Sequence, residues 1–185
     1  MEIVFYGHRV YPNGLSQNVI LALLPFAFLF LYEKACGRAT RIGLGALFLV
    51  FLPNTTYLFL EIKHALLTDG IADYPHLEAQ AVFFGLSALG LYLNVLAVLY
   101  ATKILAHDRE FAQKASIIIM GVLCGFGGVL GLGNLTSVVM LIAPAKTTLA
   151  IAQILGRISQ VLLSLVLSAL LAKITFNVKK QIDTS

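Results

Sequence analysis

Apolar positions run along this chain in long blocks, not in the short periods of a half-buried strand or a helix with one wet face. Five blocks stand out, at residues 15–32, 42–68, 81–102, 116–133 and 147–177. A helix rises ~1.5 Å per residue, so about 20 mostly apolar residues cross the hydrocarbon of a bilayer. The pattern predicts an all-α fold: a polytopic transmembrane bundle of about five helices, forming a single domain over residues 1–185. Helices are expected because a spanning segment must bond its own backbone in lipid. The second block is apolar to Leu60, and its helix is expected to continue to about residue 68. The fourth runs uncharged as far as Ala143: either it continues to span there, or it ends near Gly133 and turns through "GNLTS", which leaves "VVMLIA", residues 138–143, as a re-entrant or interfacial piece. The first block is not expected to be a cleaved leader. "MEIVFYGHRVYPNG" is no basic n-region, and "YEKACGRAT" offers no small-residue cleavage site.

Composition agrees. The chain is 59% hydrophobic and 12% charged, whereas soluble domains carry about 25% charged residues. The charges that remain are sorted. Lys34, Arg38, Arg41, Lys103, Arg109, Lys114, Lys173, Lys179 and Lys180 fall on one side of a five-helix map; Arg9, Lys63 and Lys146 fall on the other. Positive charge favours the cytoplasmic side, so the N-terminus is predicted outside and the C-terminus inside. Tyr32 and Tyr100 then anchor the inner interface, Tyr11 and Tyr74 the outer one. The net charge of +4 is topological. Its expected partner is the lipid bilayer, whose inner leaflet is anionic, and not nucleic acid. Cys36 and Cys124 lie at different depths of this map, so no disulfide is expected.

"FLPNTTYLFLEIKH", residues 51–64, interrupts the second block. Pro53 cannot donate a backbone bond and its ring crowds the preceding turn, which predicts a kink there. Thr55 and Thr56 are placed to satisfy backbone groups near it. Asn54, Tyr57, Glu61, His64 and Thr68 follow at steps of three and four, and so share one helical face. Counted from Arg41, Asn54 sits roughly 18–20 Å deep. The stripe runs from mid-membrane to the outer surface. A kink used only for packing, with Glu61 and His64 as the wet end of the helix, is the simpler alternative.

The fifth block has a matching stripe: Gln153, Arg157, Gln160, Ser164 and Ser168. A charge at the depth of Arg157 is costly unless paired, hydrated or snorkelling. Glu61 lies at similar depth, so the two are expected to approach one another inside the bundle. In the fourth block "GVLCGFGGVLG" repeats glycine at intervals of four, which lets helix backbones come close. It is not a phosphate loop, since no Lys-Ser or Lys-Thr follows. Ser87 and Asn94 on the third block are expected to hydrogen-bond to neighbours. The outer connection, "TDGIADYPHLEA", holds Asp69, Asp73, His76 and Glu78. Carboxylate and imidazole three apart can share a metal on a helix, but a solvated acidic loop explains the same residues, and no metal is assigned.

At "FLPNTTYLFLEIKH" the chain resembles a bacterial multi-pass membrane family, domain of unknown function 1361. Phe51, Leu52, Pro53, Asn54 and Tyr57 fit its FLPNxPY stretch, and Glu61 and His64 match the acid and histidine that follow. Thr56 stands where the family has a second proline. "FFGLSALGLYL" resembles the family's next helix. One departure is plain: "GGVLGLGNLTSVVM" has neither the arginines nor the tryptophan expected after the glycine-rich region. The resemblance implies a bacterial inner-membrane bundle and a role for the motif, and no particular reaction.

These readings converge on an outer-facing polar pocket lined by Asn54, Tyr57, Glu61, His64, Gln153, Arg157 and Gln160. Binding or transport of a small solute or ion is the expected function, since broken helices near the midplane often form substrate sites. Without an inverted repeat, transport would call for a dimer. One alternative is an accessory or assembly subunit, docked as a homodimer or on another membrane subunit through the helix spanning Gly121 to Gly131. Another is a membrane-embedded enzyme with Glu61 and His64 as acid and base, though nothing supplies a nucleophile. No catalytic residue and no cofactor is assigned.

Overall fold

A computed structural model describes residues 3–5, 8–10, 12–62, 77–106, 109–130 and 158–184. A two-stranded hairpin comes first, β1 (Ile3–Phe5) and β2 (His8–Val10), antiparallel with Val4 opposite Arg9. The helices are α1 (Pro12–Lys34), α2 (Arg38–Phe51), α3 (Pro53–Phe59), α4 (Leu77–Ala106), α5 (Glu110–Leu130) and α6 (Ile158–Thr184). Five stretches among the described residues are long and apolar enough to cross a membrane: Gln17–Lys34, Arg38–Phe59, Gln80–Leu105, Glu110–Val129 and Ser159–Thr184. They are the five blocks read from the sequence. Helices α2 and α3 together make the second span, which bends by 19° at Leu52. The kink expected at Pro53 is there.

The helices overrun their apolar blocks. α2 begins at Arg38, α5 at Glu110, and α6 continues to Thr184. Hydropathy marks only the part in hydrocarbon, whereas Glu and Lys are good helix formers in the headgroup region. Ion pairs one turn apart support these ends, Glu110 with Lys114 and Lys179 with Asp183, both at 2.6 Å. Solvent-exposed pairs of this kind favour the helix only weakly. Regular α3 closes at Phe59. Beyond it the Glu61 N–H bonds the Leu58 carbonyl three residues back, at 3.3 Å. Residues 63–68, the turn at "GNLTS", residues 138–143 and the start of the fifth block at 147–157 lie outside the described residues.

The arrangement is built around α5, which packs on α6, α3 and α4, while α1 pairs with α2 and also touches α3. The core between them holds Leu29, Phe48, Leu52, Val98, Ile117, Met120, Cys124 and Leu171. Outward positions are just as apolar: Phe30, Val82, Tyr92, Ile119 and Val166 are all exposed. In water that would be a fault. In lipid it is expected, because hydrocarbon solvates these side chains as well as a core does. Helix association must then come from close packing and interhelical hydrogen bonds.

Glycine supplies the close packing. Gly121 and Gly125 lie against Ser164, Ser168 and Ala172 of α6, Gly127 against Pro53, and Gly128 against Thr56. The small-residue face of α5 is therefore used inside the chain. Gly90 of α4 is the tightest case. A β-carbon there would stand 2.8 Å from the Leu58 carbonyl carbon and 2.8 Å from the Thr55 oxygen, and would also strike the Phe59 nitrogen. All three are backbone atoms and cannot rotate aside. Gly43 on α2 has nothing within 4 Å of the same position.

The two glycines predict opposite signs. Gly90→Ala should lower stability by about 1–3 kcal/mol or more, through overpacking of backbone on backbone. Gly43→Ala should be neutral or stabilise by up to about 1 kcal/mol, through helix propensity. Thermal unfolding in detergent micelles reads both; equal melting of the two variants would contradict the α3–α4 contact.

Candidate functional site

The break in the second span is where polar chemistry enters the bundle. Leu52 still donates to the Phe48 carbonyl at 2.8 Å, but Pro53 has no N–H to offer Leu49. The chain restarts with Thr55 N–H bonding the Leu52 carbonyl at 3.1 Å, a tighter turn. Side chains add to the repair. The Asn54 amide Nδ2 donates to the Phe51 carbonyl at 2.9 Å, and the Thr55 hydroxyl donates to the Leu52 carbonyl at 2.7 Å. Thr55 thus takes the role expected of it. Thr56 turns elsewhere.

It turns to Asn94, on α4. The Asn94 Nδ2 lies 2.9 Å from the Thr55 hydroxyl, 3.1 Å from the Thr56 hydroxyl and 3.0 Å from the Cys124 sulfur on α5. Two amide hydrogens serve three acceptors, of which the sulfur is the weakest. The Thr55 hydroxyl proton already goes to Leu52, so Thr55 receives from Asn94 and passes the chain of bonds to the backbone at the bend. One side chain thereby ties α3, α4 and α5 together at the break. Asn94 is 1% exposed, and its Oδ1 has no hydrogen-bond partner among the described residues. Ser87, its neighbour on the same face, bonds its own helix at the Phe83 carbonyl instead of another helix.

Beyond the bend the polar stripe continues through Tyr57, half-buried, to Glu61. Glu61 is only 5% exposed. Its Oε1 accepts from the Asn18 Nδ2 of α1 at 3.1 Å. It is thus an interior carboxylate, not simply the wet end of a helix. Sequence reasoning did not single out Asn18. The polar run "NGLSQN" at the head of the first block was the available signal, but nothing in it names a partner 43 residues away.

On the other stripe, Gln160 is half-buried and its carbonyl accepts from the Ser164 hydroxyl at 2.8 Å. Ser164 and Ser168 are buried against α5, where Ser168 bonds back to the Ser164 carbonyl at 2.6 Å. These two serines serve helix packing. His64, Gln153 and Arg157 lie outside the described residues, and with them the expected approach of Arg157 to Glu61. So do Thr68, Asp69, Asp73 and His76 of the outer connection. No cluster of three or more metal-ligating side chains occurs among the described residues. Both cysteines are unpaired thiols, Cys36 exposed and Cys124 buried.

Five apolar spans, packed by glycine and opened by one broken helix with a buried amide and a buried carboxylate, define a multi-pass helical membrane protein. The family model described as "Protein of unknown function (DUF1361)" matches residues 17–175, and the chain belongs to that family. Comparisons with curated proteins and with solved structures return no match.

Asn94 should matter more than either threonine. Asn94→Ala removes the donor to two helices and leaves a cavity, at a cost of about 2 kcal/mol or more. Thr56→Val leaves Asn94 its bond to Thr55 and should cost about 0.6 kcal/mol, the average for interhelical bonds in a membrane. Unfolding in micelles orders the two; the reverse order would remove Asn94 from the centre of the network.

Proposed function

We propose that the protein binds a small solute or ion, and carries it across the membrane or holds it there, at a polar site opening on the outer side and centred on Glu61. The observation behind this reading is a carboxylate 5% exposed within an apolar bundle, just past a broken helix. Ionisable groups inside a membrane are costly, and they mark ligand and ion pathways more often than packing. Asn54 and Tyr57 extend the site inward along the same helical face, and Asn18 orients the carboxylate from α1. His64, Gln153, Arg157 and Gln160 are the proposed further lining. The accessory-subunit alternative rests on the glycine-rich helix, whose small-residue face already packs on α6 and α3.

The test is a thermal-shift screen of the purified protein against alkali cations and small cationic or zwitterionic solutes, with Glu61→Gln beside the wild type. A ligand at a hundred times its Kd stabilises by about 2.7 kcal/mol. Stabilisation of the wild type that disappears in Glu61→Gln is the expected result. No stabilisation by any compound, or equal stabilisation of both proteins, would sink the reading.

The proposed placement is the plasma (inner) membrane, N-terminus outside and C-terminus cytoplasmic, supported by the sorting of basic residues. Cys36, exposed in the turn between α1 and α2, reports it. A membrane-impermeant maleimide should label Cys36 in inside-out vesicles and not in intact cells. Cys124 should react in neither until the protein is denatured. Labelling of Cys36 in intact cells would invert the topology.

A further inference from the structure

The sequence puts Arg38 and Arg41 in the first turn of α2. That is an unfavourable place for cations, because the positive end of the helix dipole lies there. No acidic residue shares the turn, and the Gly37 N-cap makes no side-chain capping bond. Among the described residues, neither arginine forms an ion pair. Glu33, the nearest acid in the chain, accepts from the Tyr100 hydroxyl at 2.5 Å. Arg41 is held in position nonetheless. Its Nε donates to the Ala35 carbonyl at 2.8 Å, and its guanidinium carbon stands 5.9 Å from the centre of the Tyr32 ring.

Below the arginines runs an apolar trough of about 550 Å³. Its floor and walls include Ile42, Gly45, Ala46, Leu49 and, from α4, Leu105. Arg38, Ile42, Ala46 and Leu49 step by four, four and three, so they form one stripe down the helix from headgroup level into the hydrocarbon. Gly45 and Ala46 keep the stripe shallow. Ile42, Leu49 and Leu105 are all exposed.

We infer that this end of the bundle carries a site for an anionic phospholipid, its phosphate held by Arg38 and Arg41 and an acyl chain lying in the trough beneath them. Three features meet in that occupant. Guanidinium groups match a phosphate with paired, charge-assisted hydrogen bonds. An anion offsets both the unpaired cations and the dipole. The apolar trough continues directly from the charge, which suits a lipid and is of no use to a free phosphate. The site is separate from Glu61 and does not depend on the ligand reading given above.

Native mass spectrometry of the detergent-purified protein, with phosphatidylglycerol or phosphatidylcholine of identical chains added, tests the site. The wild type should retain phosphatidylglycerol in preference to phosphatidylcholine. Arg38→Gln with Arg41→Gln should weaken that retention roughly tenfold or more, since each basic group near a membrane surface is worth about 1 kcal/mol. Lys173→Gln with Lys180→Gln, exposed cations elsewhere, should leave it unchanged. Ala46→Phe keeps both arginines and fills the trough, and should also weaken retention severalfold. The inference is overturned if the two lipids bind alike, if the lysine variant loses as much as the arginine variant, or if Ala46→Phe binds like the wild type. Displacement of the lipid by millimolar inorganic phosphate would overturn it too, leaving only an anion site.

Discussion

A proline in the middle of a membrane span disturbs the helix where no water can hydrate the backbone. The bend at Leu52 is possible because the Asn54 amide and the Thr55 hydroxyl reach back to the carbonyls of Phe51 and Leu52. Those side chains are in turn fixed by their surroundings. Asn94 engages Thr55 and Thr56 from α4 and Cys124 on α5, while Gly90, Gly127 and Gly128 let both helices come close enough for this to happen. The polar bonds and the missing side chains are one device. Without the glycines the amide could not reach; without the amide the close approach would bury threonine hydroxyls with nothing to receive from.

The rest of the bundle follows from lipid as the solvent. Apolar burial contributes little to helix association there, because an outward leucine is as comfortable as an inward one. This is why α4 and α6 are apolar all round, with Tyr92 and Val166 exposed, while their contacts depend on glycine, alanine and serine. Serines on α6 satisfy themselves on their own helix, Ser164 to Gln160 and Ser168 to Ser164, so they can sit against α5 without an unmet donor. Asn94 differs in that its amide bonds across helices, to Thr55 and Thr56 on α3 and Cys124 on α5.

Charge is placed at the two ends of this framework for different physical reasons. Glu61 lies inside the bundle, with an amide from α1 on its carboxylate. Burial there raises the value of any interaction that neutralises or ligates it. Arg38 and Arg41 lie at the opposite end of the same span, on the surface, against an apolar trough. The proposed solute site is at one end and the proposed lipid site at the other. The bend at Leu52 separates the two.

The sequence by itself determined what the solvent demands. The thickness of the hydrocarbon sets the length of the five spans, and the chemistry of proline sets the bend. The 3.6-residue repeat places Asn54, Tyr57 and Glu61 on one face. Those are properties of the local chain, and they can be read without knowing any neighbour. Helix ends were less legible, because hydropathy is silent in the headgroup region where α2, α5 and α6 begin or end; the small hairpin before α1 was missed altogether. Only the tertiary structure decided who meets whom. That Asn18 answers Glu61, that Asn94 joins Thr55, Thr56 and Cys124, and that the glycines of α5 face α6 and α3 depends on helix order and rotation. The polar stripes mark which face of the second and fifth spans turns inward, but most outward faces are as apolar as the core, so hydropathy alone does not name the neighbour each face meets. Close packing and hydrogen-bond geometry choose it, and both exist only once the helices are together.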